Sequence, residues 1–157
     1  FTVPKPLIRE EGARIKALDD PTKKMSKSAA SANSYIAIGD DADTVRNKIS
    51  RAVTDSGSDI VSGPDKPALT NLLTIFSQLE EVSLKEIEQR YAGKSYKEFK
   101  DDLADVVIAC FKPIQQTLTE LEAKPDYVDE VLANGAEKAR PAAEQTLAAA
   151  KRAMGLE

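Results

Sequence analysis

The chain has 157 residues, of which 41% are apolar and 31% charged, with a net charge of -4, the balance of an ordinary soluble domain long enough to bury a core. It contains no histidine and a single cysteine, Cys110, which excludes Ser-His-Asp and Cys-His catalysis, internal disulfides and most zinc sites. The negative charge excludes a protein that coats nucleic acid without specificity. No apolar run reaches the roughly 20 residues of a membrane span and no signal peptide is recognisable, so the expected location is cytoplasmic.

Residues 1–38 differ from the rest. "FTVPKPLIREEGARIKAL" holds prolines at 4 and 6 and short apolar runs, which predict one or two short strands over residues 3–8 and 13–18. The stretch "DPTKKMSKS" (residues 20–28) follows, with three lysines, two serines and a threonine around one apolar residue, Met25. It cannot bury a hydrophobic face and reads as a surface loop. Around it, Arg14, Lys16, Lys23, Lys24 and Lys27 outnumber Asp19 and Asp20, a local basic patch in an acidic chain.

From residue 40 the pattern becomes helical. Asp40 or Asp41 caps a helix running to about Val53 that buries Val45, Ile49 and Ala52 or Val53. Pro67 opens a second helix, with Leu69, Leu72, Leu73, Phe76 and Leu79 inside. Ser83 and Ser95, each followed three residues later by a glutamate, are capping boxes for two more. The second of these has apolar residues stepping from Tyr96 to Leu121, so about 27 residues form a helix of roughly 40 Å, with Pro113 as a kink and Cys110 as a small buried hydrophobe. "DYVDEVLANG" predicts a short helix stopped at Asn134-Gly135. The alanine-rich remainder favours helix, with Pro141 as a kink or restart. The expected fold is mainly α: a helical bundle from residue 39 to 157, behind a β-strand/loop segment over residues 1–38.

Lysines on a loop suit phosphate chemistry. When the α-phosphate of ATP is attacked, charge builds on the departing pyrophosphate, and ammonium groups on flexible stems follow it into the transition state. For an anonymous cluster a solvated charged loop is the default reading. The residue order overturns it: "KMSKS" (residues 24–28) matches the second signature of class I aminoacyl-tRNA synthetases, and "GARIKALDDPTKKMSKS" resembles the segment that carries it in bacterial tryptophanyl-tRNA synthetases. "KISRAVTDS", "KPALTNLLTIFSQL", "YAGKSYKEFKDDLADVVIACFKPIQ" and "GAEKARPAAEQTLAAAKRAMGL" extend the similarity over nearly the whole chain.

The resemblance implies a carboxy-terminal fragment of a tryptophan-tRNA ligase. Residues 1–38 would be the edge of a Rossmann-type catalytic domain bearing the ATP loop, and residues 39–157 the anticodon-side helical domain. Lys24 and Lys27 would neutralise pyrophosphate as the catalytic pair. Met25, Ser26 and Ser28 would shape the nucleotide site, and Ile15 would meet adenosine through its backbone. ATP would be a substrate carrying its own Mg2+, with no protein-bound metal. Further partners would be tRNA(Trp) and L-tryptophan, the latter through an absent amino-terminal domain that also supplies most of a homodimer contact. An acidic residue commonly follows the last serine in this family, whereas Ala29 and Ala30 stand here, so no carboxylate anchors the loop at that point. Without the other half of the site, the chain alone is expected to be inactive.

Two rival readings stand beside this one: a fragment of a tyrosyl or other class I synthetase, and a non-catalytic helical binding module. No tRNA-contacting residue is assigned. Lys94, Lys97, Lys100, Lys138, Arg140, Lys151 and Arg152 suit either tRNA phosphates or pairing with neighbouring carboxylates.

Overall fold

The structure, a computed structural model, describes residues 2–8 and 12–156. Among these the order is a 3-10 turn (Ala32–Ser34) and five helices: α1 (Ala42–Arg51), α2 (Pro67–Glu80), α3 (Leu84–Arg90), α4 (Tyr96–Glu122) and α5 (Pro125–Ala153). The described residues form no sheet; an isolated antiparallel bridge joins Lys16 to Lys24. The chain divides into two compact units, Phe1–Ile114 and Gln115–Glu157, with α4 contributing to both.

Helix starts follow local chemistry. The Asp41 carboxylate accepts the Thr44 N–H at 2.7 Å, which satisfies a donor that the first turn of α1 leaves open and holds the carboxyl below its usual pKa range. Ser83 and Glu86 form a reciprocal capping box at α3, and Ser95 with Glu98 does the same ahead of α4. Pro67, whose missing N–H costs nothing in a first turn, begins α2.

The first unit is organised around α2. Leu69, Leu72, Leu73 and Phe76 are at most 1% exposed, and they pack with Val45 and Ile49 of α1, Ile87 of α3 and Phe99, Leu103 and Val107 of α4. At the centre three rings meet, with Phe76 5.8 Å from Tyr91 and 5.7 Å from Phe99, and Tyr91 edge-on to Phe99 at 5.3 Å. The Tyr91 hydroxyl donates to Asp102 at 2.7 Å; burial first, and that carboxylate second, push its pKa up. Lys48 and Asp40 form a buried pair at 2.6 Å. Asp40 also accepts the Ala37 N–H at 2.8 Å, and the ammonium lies 5.0 Å from the centre of the Tyr35 ring. Such a pair specifies geometry more than it stabilises, because two desolvated charges offset most of their attraction.

Several expectations are corrected. Residues 3–8 form no strand: Val3 and Leu7 are 86% and 101% exposed, and Pro4 and Pro6 remove donors that a ladder would need. Val53 is exposed, and Ala52 takes the buried position instead. The apolar stripe of α4 is buried only as far as Val107; Cys110 is half-exposed, and Ile114 and Leu118 are 45% and 43% exposed. Nor does Asn134-Gly135 stop a helix. α5 runs unbroken through it and through Pro141. Positive φ, the signature of a glycine stop, occurs at Gly12, Gly93 and Gly155 and not at Gly135, and the surrounding alanines offset the ~1 kcal/mol that glycine costs inside a helix. The true stop is Gly155, at φ 70°, where the Leu156 N–H reaches back to the Lys151 carbonyl at 2.9 Å and the Gly155 N–H to Arg152 at 3.1 Å, a Schellman closure. No residue of α5 is buried.

α2 ends the same way on a residue unsuited to it. Glu81 has φ 57°, and the Val82 N–H bonds the Ser77 carbonyl at 3.2 Å. A left-handed non-glycine residue is disfavoured by ~1 kcal/mol or more. Glu81→Gly is therefore expected to stabilise the chain by about 1 kcal/mol in urea unfolding; a lower unfolding midpoint than the parent would show that the Glu81 side chain has a stabilising contact.

Candidate functional site

The lysine-rich stretch is the returning half of a small hairpin. The Ala17 N–H donates to the Lys23 carbonyl and the Met25 N–H to the Ile15 carbonyl, each at 3.0 Å. These bonds flank the Lys16–Lys24 pair instead of joining it, so the two residues form a non-hydrogen-bonded pair, whose Cα atoms lie ~4.5 Å apart with side chains on one face. The pleat sorts their neighbours to the other face. Ile15 and Met25 line an apolar recess of about 200 Å³ with Ile36, Ile75, Leu79 and Phe111, and Ala17 is buried. Around Ile15, Ala17 and Met25 the ribbon is apolar beneath, with Lys16 and Lys24 above, while Lys23, opposite Ala17 at the tip end, turns out to Asp20.

Because Lys16 does not bond Lys24, its own N–H and carbonyl point to the free edge, and Asn71 of α2 takes both. The Asn71 Oδ1 accepts the Lys16 N–H at 2.8 Å and its Nδ2 donates to the Lys16 carbonyl at 3.0 Å. A buried carboxamide, 6% exposed, thus stands where the peptide group of a third strand would. Leu18 continues the anchorage: its side chain enters the core, its N–H donates to Ser34 at 2.9 Å, and its carbonyl accepts from Val53 at 2.8 Å.

The hairpin tip is a proline turn closed by Asp20. The Lys23 N–H donates to the Asp20 carbonyl at 3.1 Å, while the Asp20 carboxylate accepts the Thr22 N–H at 3.0 Å and the Thr22 hydroxyl at 2.6 Å, an Asx arrangement that suits aspartate ahead of proline. Lys23 also reaches this carboxylate at 2.9 Å. The Thr22 hydroxyl first, then Lys23, lower the Asp20 pKa from its ordinary 3.8 to about 2. A second turn follows Met25, in which the Ala29 N–H donates to the Ser26 carbonyl at 3.1 Å and the Ser28 N–H to the Ser26 hydroxyl at 3.3 Å. That bond ties Ser26 to the second turn from within the loop.

The residues singled out in the sequence therefore divide. Ile15 and Met25 face the apolar recess; Lys24, Ser26, Lys27 and Ser28 are exposed. Lys24 and Lys27 form no ion pair among the described residues, whereas Lys23 is engaged by Asp20. Asn71 is a residue the patterning overlooks, although a polar side chain inside the stripe Leu69, Leu72, Leu73 is a signal in itself, since a buried amide requires partners.

Several helical basic residues have local occupations. Lys97 pairs with Asp101 at 2.6 Å, and Lys94 lies 4.8 Å from the centre of the Tyr91 ring. Lys100 donates to the carbonyls of Ser50 and Ala52 at 3.1 and 2.7 Å, closing the end of α1, and burial lowers its pKa. Among the described residues no helix is long and apolar enough to cross a membrane.

The family model described as tRNA synthetases class I (W and Y) matches residues 1–112. A tryptophan-tRNA ligase of Halalkalibacterium halodurans is 45% identical over 157 residues, which cover 99% of this chain and 47% of that protein. Among solved structures, a tryptophanyl-tRNA synthetase from Mycoplasma pneumoniae superimposes with a TM-score of 0.84 at 30% identity, over 95% of this chain and 45% of that one. One from Campylobacter jejuni, complexed with ADP and tryptophan, gives 0.68 at 32% identity over 99% and 47%. The chain spans about half the length of the relatives it matches.

Two outcomes test the geometry. Asn71→Ala strands the Lys16 N–H and carbonyl, so it is expected to cost ~1–3 kcal/mol in urea unfolding and to speed hydrogen exchange at Lys16 more than at Met25; unchanged exchange at Lys16 would refute the clamp. Because its folded pKa is depressed, Asp20 contributes stability present above 3.8 and lost as pH falls through about 2. An NMR titration of its carboxyl should centre near 2, with the Thr22 amide shifting in parallel, and a midpoint at 3.8 would count against the closed tip.

Proposed function

Since the chain belongs to the class I tRNA synthetases of the tryptophan and tyrosine type, we propose that it is the carboxy-terminal part of a tryptophan-tRNA ligase. It supplies the polyphosphate-binding loop and the tRNA-side helices. The tryptophan assignment over tyrosine is supported by relatives at 43–46% identity that carry that name.

In this reading a tryptophan carboxylate oxygen attacks the α-phosphorus of ATP, the bond from that phosphorus to the bridging oxygen breaks, and pyrophosphate leaves with the bonding electrons. Lys24 and Lys27 meet the charge that accumulates on it, an interaction stronger in the transition state than with bound ATP and therefore rate-enhancing. Ser26 and Ser28 line the nucleotide side, Met25 seats the loop on its apolar recess, and Ile15 offers backbone to the adenosine end. Mg2+ arrives with the nucleotide, to which the loop presents ammonium and hydroxyl groups. The amino acid is held by the portion of the relatives that this chain does not span, and tRNA(Trp) docks on the helices. The domain division carried by this reading is residues 1–38 with the catalytic domain and 39–157 with the tRNA side. Homodimerisation through the other half is part of the same proposal.

The observation that carries the proposal is the sorting of one short ribbon: Ile15 and Met25 into an apolar seat, Lys24 and Lys27 outward without a described ionic partner. A solvated charged loop has no need of that seat. The test is tryptophan-dependent exchange of pyrophosphate into ATP. The chain alone should show none, because proximity to the second substrate is lacking. Fused behind the amino-terminal half of the Halalkalibacterium relative, it should show exchange that Lys27→Ala lowers by ~10²-fold or more with tryptophan affinity retained. Full exchange in that variant would refute the role of Lys27.

A further inference from the structure

We infer that Lys16 is a third phosphate-binding cation, acting from the strand opposite Lys24 and extending the loop's polyphosphate seat onto the face of the hairpin; the inference rests on the proposed function. Three observations place it there. The non-hydrogen-bonded pairing sets the two side chains on one face at the closest spacing that an antiparallel ladder offers. The backbone of Lys16 is fixed by the Asn71 carboxamide at 2.8 and 3.0 Å, so this ammonium springs from a rigid base, unlike Lys27 in its exposed turn. Beside it opens a cleft of about 360 Å³, bordered by Arg14, Lys16, Pro21, Thr70 and Thr74, wide enough for phosphate groups.

The charge balance points to an anion. Like charges directly opposite on a ladder repel, and no described acidic side chain pairs with Arg14, Lys16 or Lys24. Asp20, at the hairpin tip, already holds Thr22 and Lys23. A polyphosphate lying across the ribbon would relieve the repulsion between Lys16 and Lys24 while collecting charge-assisted hydrogen bonds from both. One ligand chemistry satisfies both lysines: the contiguous phosphates of a nucleoside triphosphate or of free pyrophosphate.

The test titrates inorganic tripolyphosphate into the full 157-residue chain, following backbone amide shifts by NMR. Lys16→Met keeps the aliphatic stem and the backbone bonds to Asn71, and Lys85→Met, on the exposed face of α3, removes one charge elsewhere. Lys16→Met should weaken binding about fivefold or more, Lys16→Arg should restore it to within about twofold, and Lys85→Met should leave it unchanged. If Lys24→Met weakens binding while Lys16→Met does not, the role of Lys16 is overturned and the phosphate-loop reading stands. If neither Lys24→Met nor Lys27→Met weakens it, the phosphate-loop reading falls with it. Equal losses in Lys16→Met and Lys85→Met would mean diffuse charge attraction and overturn the site.

Discussion

One carboxamide holds the working end of this molecule. A two-stranded ladder has marginal stability alone in water, and here it comprises a single pair. Asn71 completes it by acting as the third strand's peptide group, which joins a ribbon near the start of the chain to a helix 55 residues later. The placement of Lys16 depends on that junction directly. If the free edge of Lys16 were solvated, the ribbon would lose its hydrogen-bonded tie to α2, and the sorting of Met25 below and Lys24 above would rest on Leu18 and the apolar seat alone.

α2 supports this junction because it faces two ways. Phe76 sits among aromatic rings contributed by Tyr91 and Phe99, so the helix is fixed by dense apolar packing. Asn71 and Ile75 then use that fixed position to grip the ribbon, one through hydrogen bonds and one by lining its recess. Rigid packing is spent on the scaffold, and the exposed groups are left at its edge, where binding groups commonly lie on loops carried by well-packed elements.

The helices were readable in the sequence where a cap and an apolar period agreed. Asp41, Pro67, Ser83 and Ser95 marked starts that the structure keeps. The errors came from signals that depend on what surrounds them. Asn134-Gly135 is a stop only if the glycine turns left-handed, and the alanines beyond it give the helix reason to continue. Ile114 and Leu118 continue the spacing of a buried stripe, but spacing records which face of the helix they occupy and not whether anything covers that face. In the loop, residue order revealed Lys24 and Lys27 through resemblance. A polar residue among buried leucines signals that Asn71 needs partners, but that the partner is Lys16, 55 residues away, is a pairing no local pattern encodes.

The hairpin also limits how this chain is free to vary. Its tip, from Asp19 to Thr22, is exposed or half-exposed, and side chains there are replaceable so long as the turn closes. Its length is another matter. Strand faces alternate with every residue, so a change of length that slipped the Lys16–Lys24 pairing by one residue would exchange the faces of Lys24 and Met25, burying an ammonium in the apolar recess and presenting a thioether to solvent. The segment is tolerant in composition and intolerant of a slip in register, a constraint of arithmetic and not of chemistry.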